Sequence, residues 1–166
     1  MTKATEKVMT GRMVKHEIAE FERIDRECFP TPWPAAEFAR CIESADCVAL
    51  AARIGERSVG YGVMMFEWDT AHIMKLVVDG PCRRRGIGRT ILRELIRMAT
   101  ESGSEKMALE VRETNLDAQL FYRECGLRAV KIERGFYADT GEDAYLMEKP
   151  LPEAAAANGR PKGASS

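Results

Sequence analysis

The segment from Leu76 to Thr90 holds the densest set of side chains that could do chemistry. Leu76, Val77 and Val78 run into Asp79-Gly80-Pro81-Cys82, and Arg83-Arg84-Arg85-Gly86-Ile87-Gly88-Arg89-Thr90 follows. A strand, a tight basic turn and a helix start are expected. The first N–H groups of a helix lack intrahelical partners and carry partial positive charge. Glycines at 86 and 88 would let an anion reach those amides. Arg83, Arg84, Arg85 and Arg89 would add fixed cations. A diphosphate fits such a site. No Gly-Lys-Ser/Thr follows, so the turn is not a Walker loop, and the third glycine of the dinucleotide fingerprint is missing. The competing reading is a solvated basic helix start capped by glycine. The arginines and the strand–turn–helix context favour the anion.

Glu110 is the next candidate. Along its strand Met107, Leu109 and Val111 share one face, and Ala108, Glu110 and Arg112 the other. A carboxylate central in a buried strand must be paired or useful. On the strand alone, a salt bridge with a neighbouring arginine and a general base are equally good readings. Asn115, Ala118 and Tyr122 form one stripe of a helix, with Leu116 and Leu120 on another flank suited to the core. Asn115 suits the N-cap; by itself Tyr122 reads as a packing residue. Cys82 abuts the arginines, which lower a thiol's pKa, but its motif holds no histidine to act as base. His72 reads as a strand-end histidine. Trp33, Phe136 and Tyr137 lie in Pro- and Gly-bounded loops, where lining an acceptor groove and folding back onto the core are equal alternatives.

These residues need a scaffold. Glu17 to Cys28 has helical apolar spacing, and Phe29-Pro30-Thr31-Pro32-Trp33-Pro34 must be a loop. Pro34 suits the first turn of a second helix carrying Phe38 and Ile42. Cys47 to Arg53 and Ser58 to Phe66 read as a hairpin around Gly55-Glu56-Arg57. Ile73 to Val78 is a third strand. Gly86 to Ser102 is a helix, Met107 to Val111 a strand, Leu116 to Cys125 a helix, and Arg128 to Glu133 with Ala144 to Glu148 a final strand pair. Mixed α/β (α+β) architecture follows, with a single domain over residues 11–151. The first ten residues are expected to be flexible or a short edge strand. Residues 152–166, rich in Ala, Gly, Pro and Ser, are expected to form a disordered tail.

The 166 residues suffice for one domain with a real core. Lys plus Arg number 25 and Asp plus Glu 26, a net charge of −1, which argues against nucleic-acid binding. No apolar run reaches membrane-spanning length, and the N-terminus does not read as a signal peptide. Five cysteines without a C-x-x-C pair, and two histidines, argue against a disulfide framework and against a metal site. A cytoplasmic protein, monomeric or weakly dimeric, is expected.

Arg83-x-x-Gly86-x-Gly88 after an apolar strand resembles the acetyl-CoA pyrophosphate loop of the GNAT N-acetyltransferase superfamily. The likeness covers Met13 to Leu151. Phe29 to Trp33, Arg83 to Gly88, Leu109 to Asn115, Phe121-Tyr122, and Arg134 to Tyr137 followed by Gly141 to Ala144 are similar to the RimI branch. Members of that branch acetylate protein N-termini, notably the alanine of a small-subunit ribosomal protein. The resemblance implies a mostly antiparallel sheet splayed at the acetyl-CoA site, with helices on both faces. It implies that Leu76, Val77 and Val78 hold the pantetheine arm, that Arg83 to Thr90 and Asn115 complete the cofactor site, and that the acetyl group inserts beside Met107 to Val111. It implies Glu110 as a base acting through a water and Tyr122 as acid, with Trp33, Phe136 and Tyr137 toward the acceptor. Two departures stand out: Asp79-Gly80-Pro81-Cys82 replaces the usual His-Pro-x-aromatic, and Cys125-Gly126-Leu127 replaces a Leu-Gly-Phe-like turn.

The attacking amine must be neutral. A chain terminus titrates near 8 and a lysine near 10.4, so neutralising lysine costs roughly 3 kcal/mol more. A terminal α-amine is therefore the expected acceptor. A lysine or small amine on the same fold is the first alternative, and a non-catalytic CoA-binding sensor is the alternative of another class.

Overall fold

The computed structural model describes residues 6–154. Residues 1–5 and most of the expected tail, 155–166, lie outside it. Seven strands form one sheet in the order β1-β2-β3-β4-β5-β7-β6. They are β1 Val8–Arg12, β2 Cys47–Ile54, β3 Arg57–Glu67, β4 Thr70–Val78, β5 Lys106–Arg112, β6 Arg128–Glu133 and β7 Ala144–Pro150. The helices are α1 Ile18–Cys28, α2 Ala35–Glu43, α3 Ile87–Glu101 and α4 Leu116–Glu124. Every pairing is antiparallel except β4 with β5.

Both faces of the sheet are covered, so β2 is apolar on both sides. Val48, Leu50 and Ala52 join Ile87, Ile91, Leu95 and Ala99 of α3 in one buried cluster. Cys47, Ala49 and Ala51 join Phe21 and Ile24 of α1 and Phe38 of α2 in the other. Gly62 lets α3 approach: a Cβ there would stand 2.8 Å from a Leu95 methyl and 2.9 Å from one of Ile91. Of the two readings of the first ten residues, Val8 to Thr10 take the edge strand, paired with β2.

One expectation for α4 is overturned. Leu116 and Leu120 are 69% and 58% exposed, not core residues. The helix lies near the β6 end of the sheet, and Ala118, Phe121, Tyr122 and Cys125 are the α4-turn residues that reach the core. Leu116 and Leu120 instead line a shallow hollow of about 520 Å³ with Tyr145 and Met147.

The sheet opens between β4 and β5. Their pairing covers Thr70↔Lys106, Ala71↔Met107 and His72↔Ala108, then stops although both strands continue. A register shift in the β3–β4 ladder falls at the same place, where Met64 pairs with Ile73 and Val63 with Lys75, leaving Met74 as the extra residue. Bulges bend a strand and increase its twist. β4 beyond His72 is thereby turned away from β5, and its backbone edge on that side is left without a strand partner.

Candidate active site

A cavity of about 600 Å³ occupies the opening. Its wall includes Ile73, Leu76, Leu109 and Val111 from the parted strands, and Asn115, Ala118 and Tyr122 from α4. Phe29, Thr31, Lys75, Glu110, Arg112, Phe136 and Tyr137 line it as well. Leu109 and Val111 belong to the α3-side cluster, against which Tyr122 also packs. Glu110 alternates to the opposite face of the sheet. The cavity thus passes through the sheet, with the phenol on one side and the carboxylate on the other.

The glycine-rich turn has the expected geometry. Arg84 and Gly86 sit at φ of 64° and 78°, so the chain curls tightly before α3. The first helical bond runs from the Thr90 amide to the Gly86 carbonyl at 3.0 Å. The amides of Ile87, Gly88 and Arg89 precede it and have no intrahelical acceptor. Successive N–H groups in such a turn form an anion-binding concavity. Gly88 leaves the approach open, since a Cβ there would stand 3.5 Å from Phe121 and 3.6 Å from Val78. A CoA diphosphate fits this donor set.

The arginines divide by role. Arg84 and Arg85 are exposed beside the turn. Arg89 lies 3.5 Å from Glu124. The Arg83 guanidinium turns away, donating to the Val78 carbonyl (3.2 Å) and to Cys28 Sγ (3.1 Å). Arg83 can therefore offer an anion its backbone amide, but its side chain pins the end of β4 to α1. Asp79, standing where the resemblance expects histidine, is buried, with Arg23 at 3.2 Å and Arg57 at 3.6 Å. It fixes the turn to α1 and β3. Thr90 donates to the Gly86 carbonyl (3.0 Å), and Val77 is buried on the α1 side. Cys82 is 3% exposed in the core, which removes it from nucleophilic chemistry in the folded protein.

Asn115 caps α4, its Oδ1 accepting from the Ala118 amide at 3.1 Å. Tyr122 is driven up to about 12, chiefly by burial and then by Tyr137 and Cys125. It therefore stays protonated across the physiological range.

Glu110 has a partner that neither sequence alternative named. His72 Nε2 lies 2.6 Å from Glu110 Oε2. The hydrogen bond to Glu110 raises the His72 pKa, while burial opposes it. His72 is the third residue of β4 and pairs with Ala108, so it shares a face with Glu110. The signal in the sequence was the matching alternation of two strands, usable only once their parallel register is known.

Phe136 and Tyr137 line the cavity from the β6–β7 loop. Arg112 holds that loop, bonding Asp139 at 2.9 Å and lying 3.9 Å from the centre of the Tyr137 ring. Of the two readings of Trp33, the structure favours folding back: half-buried, it packs edge-on against Phe38 (5.6 Å) beside the α1–α2 core, its ring centre 4.8 Å from Lys75 Nζ, and the cavity wall does not include it. Phe29 and Thr31 from the same loop take the place expected of Trp33. Behind them Asp25, fully buried, accepts from the Trp33 amide (2.6 Å), the Tyr61 hydroxyl and Lys75 Nζ (2.6 and 2.8 Å). Lys75 in turn lies 4.5 Å from the centre of the Phe29 ring. Burial lowers the Lys75 pKa against the pull of Asp25.

The model of the acetyltransferase (GNAT) family matches residues 18–127. The chain belongs to the GNAT family. Among its GNAT relatives, an uncharacterized N-acetyltransferase of Methanocaldococcus jannaschii, MJ1530, is 36% identical over 134 residues, covering 80% of this chain and 85% of the relative. The N-alpha-acetyltransferase RimI of Mycobacterium tuberculosis is 32% identical over 158 residues, covering 90% and 96%. The crystal structure of the ribosomal-protein-S18-alanine N-acetyltransferase from Escherichia coli superposes with a TM-score of 0.81 at 23% identity, covering 90% of this chain and 97% of that one. The chain is an N-acetyltransferase of the GNAT family, RimI-like in sequence, and its fold is the GNAT fold. No helix among the described residues is long and apolar enough to cross a membrane.

Proposed function

We propose that this GNAT enzyme transfers the acetyl group of acetyl-CoA to the N-terminal α-amine of a protein, with Glu110 as a water-mediated base and Tyr122 as acid. The observation that carries this reading is the single cavity crossing the sheet between β4 and β5, with Tyr122 and Glu110 on opposite faces. The amides of Arg84 to Arg89 and the arginines beside them bind the diphosphate. The edge of β4 left without a strand partner, Ile73 to Val78, takes the pantetheine arm as a further strand would be taken, and a backbone N–H on that edge polarises the thioester carbonyl.

The amine enters from the other face, between Phe29 and the Phe136–Tyr137 loop. Its lone pair forms the new N–C bond, and the C–S bond breaks toward Tyr122. The amine's proton leaves through a water to Glu110. The Tyr122 hydroxyl donates to the departing sulfur and supplies its proton. A carboxylate relay suits an amine that titrates near 8 better than one near 10.4. The names of the relatives support a protein N-terminus, and an alanine-first ribosomal protein is the proposed acceptor.

Mass spectrometry of peptides incubated with the enzyme and acetyl-CoA tests this. An alanine-first peptide with a free N-terminus should gain one acetyl group on its first residue. The same peptide with a blocked N-terminus and an internal lysine should stay unmodified. Acetylation of the lysine alone would reverse the assignment.

A further inference from the structure

We propose that His72 is a positioning residue for Glu110, and that the charge on its imidazole sets how well the carboxylate accepts the amine's proton. This rests on the proposed role of Glu110 and goes beyond it. The geometry is specific. His72 and Ala108 are the last paired residues before β4 and β5 part. Glu110 is the next residue of β5 on that face, and the 2.6 Å contact closes the fork of the split. Glu110 lines the cavity, and His72 stands behind it with 23% of its side chain exposed. The imidazole occupies Oε2 and leaves Oε1 for a water or the amine.

Nε2 donates to Glu110 whether His72 is charged or neutral, so the proton lost on titration is the one on Nδ1. One carboxylate touches the ring and two more act on it from farther off. Glu110 faces it from β5, and Glu67 of β3 and Glu133 of β6 add negative potential. The cations sharing its face of β5 are engaged elsewhere: Lys106 with Glu148 of β7 at 3.2 Å, and Arg112 with Asp139 and Glu142. The imidazolium is therefore favoured beyond the ordinary histidine range.

Two working states follow. With His72 charged, Glu110 is locked in an ion pair, and taking up a proton would break it. With His72 neutral, the N–H still holds Oε2 in place, and the carboxylate regains its affinity for the proton. The acid limb of kcat should then follow His72, with a midpoint above the ordinary histidine value of about 6.5. An unassisted carboxylate titrates near 4.3 and would put no limb there.

The test uses the full chain and one alanine-first peptide throughout, so the peptide's own amine titration is common to every variant. The chain has two histidines, so His72→Gln assigns the His72 resonance in an NMR titration. Its midpoint should lie above about 6.5 in the wild type and fall in Glu110→Gln. His72→Gln keeps an N–H donor but does not titrate. It should retain kcat at pH 8.5 within about threefold and move the acid limb down by at least one pH unit. His72→Ala should lower kcat by roughly tenfold across the profile with the KM for acetyl-CoA unchanged. A wild-type midpoint at or below 6.5 overturns the proposal, and this measurement needs no variant to fold. So do His72 variants that keep both the wild-type limb and kcat while Glu110→Gln is slow. Full activity in Glu110→Gln would instead overturn the base assignment on which the proposal rests.

Discussion

In Tyr122→Phe the ring keeps its edge-on contact with Phe121 (5.2 Å between centres), and only the hydroxyl is lost. The donor acts on the sulfur as the C–S bond breaks. The account therefore expects kcat to fall by about 10² to 10⁴, with little change in the KM for acetyl-CoA. Steady-state kinetics checks this, and a wild-type kcat would return Tyr122 to a packing role. Glu110→Gln should also lower kcat, and above the His72 limb the deficit should shrink as pH rises further, because the α-amine is already about half neutral near pH 8. The rescue should lag with a lysine acceptor, which titrates near 10.4. A purely structural Glu110–His72 pair predicts the opposite: lower thermal stability with unchanged activity per folded molecule. The pH–rate profile and the unfolding curve of one variant separate the two.

The turn before α3 and the β6–β7 loop carry predictions of their own. Gly86→Val puts a β-branched residue at a φ of 78°, and Gly88→Val fills the space between Phe121 and Val78. The double variant should lose acetyl-CoA binding in calorimetry, and retained binding would remove the diphosphate from this turn. Arg112→Ala should free the loop that carries Tyr137, raising the KM for the peptide several-fold and leaving that for acetyl-CoA unchanged. Asp25 ties α1 to β3, β4 and the Phe29–Pro34 loop. Asp25→Ala strands Lys75 in a buried position and should cost about 3–5 kcal/mol in denaturant unfolding. The turn was legible in the sequence because glycine and arginine act locally there. The helices and most strands were legible because their apolar spacing is local too. The His72–Glu110 pair was not, because it depends on the register of a parallel pairing between distant segments. The exposure of Leu116 and Leu120 was hidden for a related reason. Periodicity shows which residues share a face, but not whether another element covers it.

At the scale of the molecule, stability and activity should run in opposite directions with pH. The folded-state pKa of His72 lies above its ordinary value, so the stabilisation from its bond to Glu110 is fully present below about pH 6.5 and is lost as pH rises through the raised value. Thermal unfolding should show this loss in the wild type and a flatter profile in His72→Gln. The same sheet that supplies two buried clusters, one on each face, also supplies the opening that joins its faces. The central claim is that donor and acceptor meet in that opening. A crystal structure with CoA joined through its acetyl link to the N-terminus of an alanine-first peptide tests it most directly. The account predicts the diphosphate on the amides of Arg84 to Arg89, the link between β4 and β5, the sulfur beside Tyr122, and the peptide nitrogen on the Glu110 face between Phe29 and Tyr137. A conjugate whose link lies outside the β4–β5 opening, or whose peptide leaves on the Tyr122 face, would contradict it.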